Sequence, residues 1–135
     1  MLNIPLSNTE RMLTELDYFR LSKLDKLSYP IELEDGLDSA EVVDSAEIPD
    51  DVVTMNSLFV IADDTTGHRT QLRLCYPGNA APAQGNISVL SPAGASMLGL
   101  RRGAIASWRS LQGEVRFARI VELLFQPEAA GDYSL

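Results

Sequence analysis

Two hydrophobic periods divide the chain. Before Pro49 the apolar residues return near helical spacing. Met12, Leu13, Leu16, Phe19, Leu24 and Leu27 form a first stripe, interrupted by Arg20 and Lys23. Ser7, three residues ahead of Glu10, is a capping box, so a helix is expected to start there. It should end at Ser28-Tyr29-Pro30, because the residue before a proline avoids the helical region. Leu33, Leu37, Ala40, Val43 and Ala46 trace a second stripe, weakened by Gly36 and closed by Ile48-Pro49. A connection this short predicts an antiparallel helical hairpin with facing stripes, each helix about 20 to 30 Å long.

Beyond Pro49 the period falls to two, the mark of strands. Val52 to Ala62 is apolar and β-branched, and Asp63-Asp64-Thr65-Thr66-Gly67 turns it into a second strand, Arg69 to Tyr76. Pro77 to Gly85 reads as a surface loop and Asn86 to Leu90 as a short third strand. Ser91-Pro92 places a capping hydroxyl before a proline suited to the first helical position, and the short helix carries Ala95, Met97, Leu98 and Leu100. Ala104 to Arg109 and Glu114 to Phe125 are expected to pair around Ser110-Leu111-Gln112-Gly113. The predicted class is α+β: a helical hairpin over residues 1–50, then an antiparallel sheet with one helix over 51–135.

Charge sharpens this division. Residues 1–50 hold twelve acids against four bases, whereas 51–135 hold seven of each, so the net charge of -8 sits in the first third. Between Ser28 and Asp51 there are nine acids and no base. Such a stretch repels phosphates and suits a cationic partner surface, or else is a solvated face that keeps the protein soluble. No apolar run is long enough to span a membrane and the N-terminus lacks a signal-peptide pattern, so a cytoplasmic chain is expected. One cysteine, Cys75, and one histidine, His68, leave no internal disulfide and no Cys/His metal cage.

Catalytic chemistry finds no foothold. His68 falls in a predicted turn and Cys75 in mid-strand, with no base-and-orienter arrangement around either. Gly94, Gly99 and Gly103 do not have dinucleotide-fingerprint spacing, and no phosphate-cradling GxxxxGK[ST] is present. Trp108 and Phe117 read as core aromatics. Glu32 with Asp35, or Asp35 with Asp38, would bring carboxylates together on a helix in a way that could hold Mg²⁺, but such pairs are unavoidable in so acidic a stretch. The chain reads as a non-enzyme without metal or cofactor.

An acidic helical hairpin joined to a small sheet resembles the GreA/GreB transcript cleavage factor superfamily. The run Ile87-Ser88-Val89-Leu90-Ser91-Pro92-Ala93-Gly94-Ala95-Ser96-Met97-Leu98-Gly99-Leu100, continued by Arg101-Arg102-Gly103, is similar to its FKBP-like C-terminal domain. Pro49-Asp50-Asp51-Val52-Val53-Thr54-Met55-Asn56-Ser57 and Gln126-Pro127-Glu128-Ala129-Ala130-Gly131-Asp132-Tyr133 resemble its short-armed branch, the regulators of nucleoside diphosphate kinase. The resemblance implies a transcription regulator that docks at the secondary channel of bacterial RNA polymerase. Ser91, Pro92, Met97 and Leu98 are the polymerase-contacting residues it points to, and Glu32, Glu34 and Asp35 the hairpin tip. In the cleavage factors long helices carry tip acids to the active centre, whereas this hairpin is shorter. The implied function is therefore competition with GreA/GreB-type factors without transcript cleavage and without direct sequence-specific nucleic acid binding. An FKBP-like prolyl isomerase and a direct protein partner of nucleoside diphosphate kinase are the alternatives.

Overall fold

The computed structural model describes residues 10–134. Ser7 of the expected capping box lies outside them. Met12–Thr14 forms strand β1, which runs parallel to β2, Glu41–Val43. Helix α1, Glu15–Ser22, starts only after Thr14, whose hydroxyl accepts the Asp17 amide at 3.0 Å. The Met12 amide donates to Gly99 O at 3.0 Å. The segment expected to open a helix is thus tied to distant backbone, and this tertiary pairing overrides the helical stripe.

Asp25 caps a 3-10 turn, Lys26–Ser28, which leads through Pro30 to α2, Ile31–Ser39. The second helix was expected to reach Ala46. It stops early because its C-terminal half carries Asp35 and Asp38 with no base in the last turn, the wrong sign for the carbonyl end of the helix dipole. The β-branched Val42 and Val43 then join the strand pair. α2 packs chiefly on α3, Pro92–Met97, and α1 on the β1 and β2 strands. Two short helices with different partners therefore stand where a facing hairpin was expected.

Five further strands form one sheet in the order β5-β4-β3-β7-β6. They are β3 Leu58–Asp63, β4 Arg69–Cys75, β5 Asn86–Ser88, β6 Ile105–Arg109 and β7 Val115–Phe125. The expected antiparallel sheet is mixed, because β5 runs parallel to β4. The Pro-rich segment between them folds into 3-10 turns at Pro77–Asn79 and Pro82–Gln84 and carries the chain back to start alongside β4. The first strand begins six residues later than expected. Val52 forms only an isolated bridge to Arg101; Asn56 then adopts φ 68° and the Thr54 amide donates to Ser57 Oγ at 2.9 Å, so Thr54 to Ser57 is a tight turn instead. β7 shifts register twice against β3, near Leu58 and between Val60 and Ile61.

One face of the sheet buries Phe59, Leu74, Ala106, Ala118 and Ile120. Ala95, Met97 and Leu98 of the α3 segment cover it, and Leu13, Leu21 and Leu33 of the N-terminal third complete the same cluster. The core therefore draws on both sides of position 50. Among the described residues no helix is long and apolar enough to cross a membrane.

Candidate functional site

The Ser91-Pro92 corner is built from backbone proximity. Ser91 Oγ accepts the Gly94 amide at 3.0 Å and donates to Ser88 O at 2.7 Å, capping α3 and fixing it to the end of β5. A Cβ on Gly94 would sit 2.2 Å from Ser88 O, so only glycine allows the helix to start this close to the strand. Ser91 and Pro92 stay partly exposed on this corner. Met97 and Leu98, by contrast, are 0% and 2% exposed and lie in the core. Both were expected to touch a partner. Their apolar side chains gain more from burial under α3 than from solvent, and they shape the corner from within.

The three acids expected at a hairpin tip separate. Glu32 and Asp35, three apart on α2, line a cleft of about 450 Å³ against β6 with Arg11, Trp108 and Arg109. Glu32 Oε2 accepts the Arg109 amide at 3.3 Å, so the carboxylate satisfies an N–H on the sheet's edge strand. Glu34 lines a different hollow, beside Tyr18, Lys26 and Tyr29, and Asp35 borders both. Among the described residues no group of three or more His, Cys, Asp or Glu is placed to hold a metal ion.

Two residues of the site were missed in the sequence. Arg11 donates from Nη1 to Ser96 O at 3.0 Å and Leu98 O at 2.7 Å, the carbonyls at the end of α3. Burial pulls its pKa down, and neighbouring Asp35 pulls it back up. A Cβ on Gly36 would approach the Arg11 side chain to 3.3 Å, so the glycine that weakens the α2 stripe also makes room for this guanidinium.

Asp17 is the second. It is 2% exposed, and its Oδ2 accepts the Met55 amide at 3.1 Å, joining α1 to the turn before β3. Burial pushes its pKa up to about 7; the Met55 amide opposes that shift and Glu128 adds to it. Thr54 Oγ1 donates to Glu128 Oε1 at 2.7 Å, and Gln126 Nε2 donates to Pro49 O and Val52 O, both at 2.8 Å. The two stretches that carried the short-armed resemblance, Pro49–Ser57 and Gln126–Tyr133, thus meet in space over Asp17. Tyr76 lies in the same seam, where burial raises its hydroxyl pKa, with Asp17 adding to the effect.

A sheet with a capped corner helix and an acidic segment folded beside it defines a class, and comparison with known proteins agrees. Residues 48–124 match the family described as "Transcription elongation factor, GreA/GreB, C-term". The chain belongs to the GreA/GreB family. It is 39% identical over 99 residues, 73% of each chain, to the Escherichia coli protein named regulator of nucleoside diphosphate kinase. It is 32% identical over 75 residues to transcription elongation factor GreA of Clostridium botulinum, matching 56% of this chain but only 47% of that one. Among solved structures, the prokaryotic transcription elongation factor GreA/GreB from Nitrosomonas europaea superposes with a TM-score of 0.70 at 39% identity. That likeness covers 86% of this chain and 98% of the other.

Proposed function

We propose that this protein is a transcription regulator that binds RNA polymerase at the secondary channel and displaces GreA/GreB-type factors without stimulating RNA cleavage. In this reading residues 51–135 dock through the Ser91-Pro92 corner and residues 1–50 present the acidic arm to the cationic rim. The observation that carries the proposal is the reach of that arm. α1 has eight residues and α2 nine, about 12 and 14 Å of helix, and α2 lies against α3 rather than projecting away. Glu32 is already committed to the Arg109 amide. Carboxylates held this close to the globule fit a plug at a channel mouth better than a probe that extends to a distant active centre.

The likeness to the Escherichia coli regulator of nucleoside diphosphate kinase supports a link to that kinase. We assign the link to gene expression, since the proposed partner is the polymerase. Co-purification separates the routes. The account expects this chain to be retained by purified core polymerase, to lose most of that retention in Pro92→Asn, and to pass unretained over immobilised kinase. Retention by the kinase alone would reverse the assignment.

A further inference from the structure

The sheet has a second face, and it is charged in the opposite sense to the arm. Cross-strand pairing puts Arg69, Ala62, Arg119 and Ile105 in one row, and Arg73, Leu58 and Phe125 in another. Ser107 pairs with Phe117 and Arg109 with Val115 on the same side. Partners directly opposite share a face, so four of the seven arginines beyond residue 50 lie on this outer surface. Against them the strands place one acid there, Glu122, opposite Val60. Each residue in these rows is at least partly exposed, and Phe117 shows 48% of its surface.

The arginines are held in place. Arg73 Nη1 donates to Asn56 O at 2.9 Å and its guanidinium lies 5.9 Å from the centre of the Phe125 ring. Arg119 Nη1 donates to Gly103 O at 2.9 Å and Arg109 Nη1 to Gly113 O at 2.8 Å. One bond fixes each fork while its other N–H groups remain. Such groups pair with phosphate oxygens two at a time. Phe117 and Phe125 add rings that offer a π-face to any base.

We infer that this outer face binds single-stranded nucleic acid without sequence preference. Charge complementarity selects an anionic partner, and the exposed ring beside Arg119 selects one with unpaired bases over an acidic peptide, which has nothing to stack. Of the α2 carboxylates, Glu32 reaches the Arg109 amide at the β6 edge and Asp35 lines the same cleft, so the cations of this face that stand clear of the acidic arm are Arg69, Arg73 and Arg119. The inference does not depend on polymerase docking, which uses the Ser91-Pro92 corner.

The test uses the full chain and a fluorescent 12-nucleotide RNA of mixed sequence, read by anisotropy, with the DNA version and a duplex in parallel. Both single strands should bind, the duplex several-fold more weakly. Three to four phosphate contacts predict that affinity falls about 20- to 50-fold between 50 and 200 mM KCl. Phe117→Ala should weaken binding roughly tenfold by removing a stacking surface. Gln71→Glu, which adds a charge at an exposed mid-face position and disturbs no packing, should weaken it as well while thermal stability is unchanged. Three results would each overturn the inference: no binding at 50 mM KCl, binding that both variants leave intact, or equal competition by a glutamate-rich peptide of the same charge. The last would reassign the face to an acidic protein segment.

Discussion

α1 and α2 are neighbouring helices of similar length, yet their carboxylates have opposite fates. Asp17 on α1 is sealed against the Met55 amide, the Tyr76 ring and Glu128, and keeps its proton to about neutral pH. On α2, Glu34 and Asp35 face solvent and Glu32 reaches an edge-strand amide. The difference lies in the surface each helix meets. α1 seats over the polar seam where the 54–57 turn meets the C-terminal segment, and a carboxylate there trades hydration for one backbone hydrogen bond. Net charge therefore overstates the arm's free negative charge, because one of its acids is a structural group whose ionisation opposes folding.

The largest test of that contrast is Asp17→Asn followed across pH. Asp17 has a folded pKa raised from 3.8 to about 7, so the native chain binds more protons than the unfolded chain between those values. Its stabilising contribution is complete below the unfolded pKa and is lost as pH rises through about 7. About three units at 1.36 kcal/mol each set an upper bound of roughly 4 kcal/mol on the stability that drains away from this group. Asparagine can still accept the Met55 amide and has no charge to desolvate. Urea unfolding should therefore show the variant gaining on the parent as pH climbs from 4 to 8; a constant difference would place Asp17 in an ordinary solvated environment.

Arg11→Met comes next. It leaves the Ser96 and Leu98 carbonyls without a donor, which predicts a loss of about 2 to 3 kcal/mol at pH 7 in the same measurement. A loss below about 0.5 kcal/mol would mean that water serves those carbonyls equally well.

The exposed side of the comparison predicts almost nothing for stability. Glu34→Ala with Asp38→Ala should stay within about 0.5 kcal/mol of the parent by urea unfolding. The same pair should weaken polymerase retention at low salt and have little effect at high salt, since exposed charges act through a screened field. Retention that ignores both the mutations and the salt would show that the arm only keeps the protein soluble.

Legibility followed the same line. Ser91-Pro92 announced the α3 cap, because capping is local chemistry and the Ser91–Gly94 bond spans three residues. The alternation of β3, β4, β6 and β7 was readable to within a few residues except at Val52, where Asn56 in a left-handed turn delays the strand. The N-terminal third misled for a long-range reason. Met12 to Thr14 shows helical spacing, but Glu41 to Val43 and Gly99 supply a strand's partners from far along the chain. Of the nominated site, Ser91 and Pro92 are partly exposed, while Met97 and Leu98 turn inward. Asp17 left one signal: it lies four residues before the fully buried Leu21 and so shares its face of the helix. Arg11 left none, since its partners are backbone carbonyls more than eighty residues away.

The claim that this chain occupies polymerase without performing chemistry meets its most direct test in a stalled elongation complex carrying end-labelled RNA. With the chain alone, the account predicts intact RNA over the time in which a GreB-type factor shortens it. With both present, it predicts that cleavage slows as the chain is added and recovers with Pro92→Asn in its place. Shortening by the chain alone, or GreB-type cleavage untouched by a large excess of it, would contradict the account.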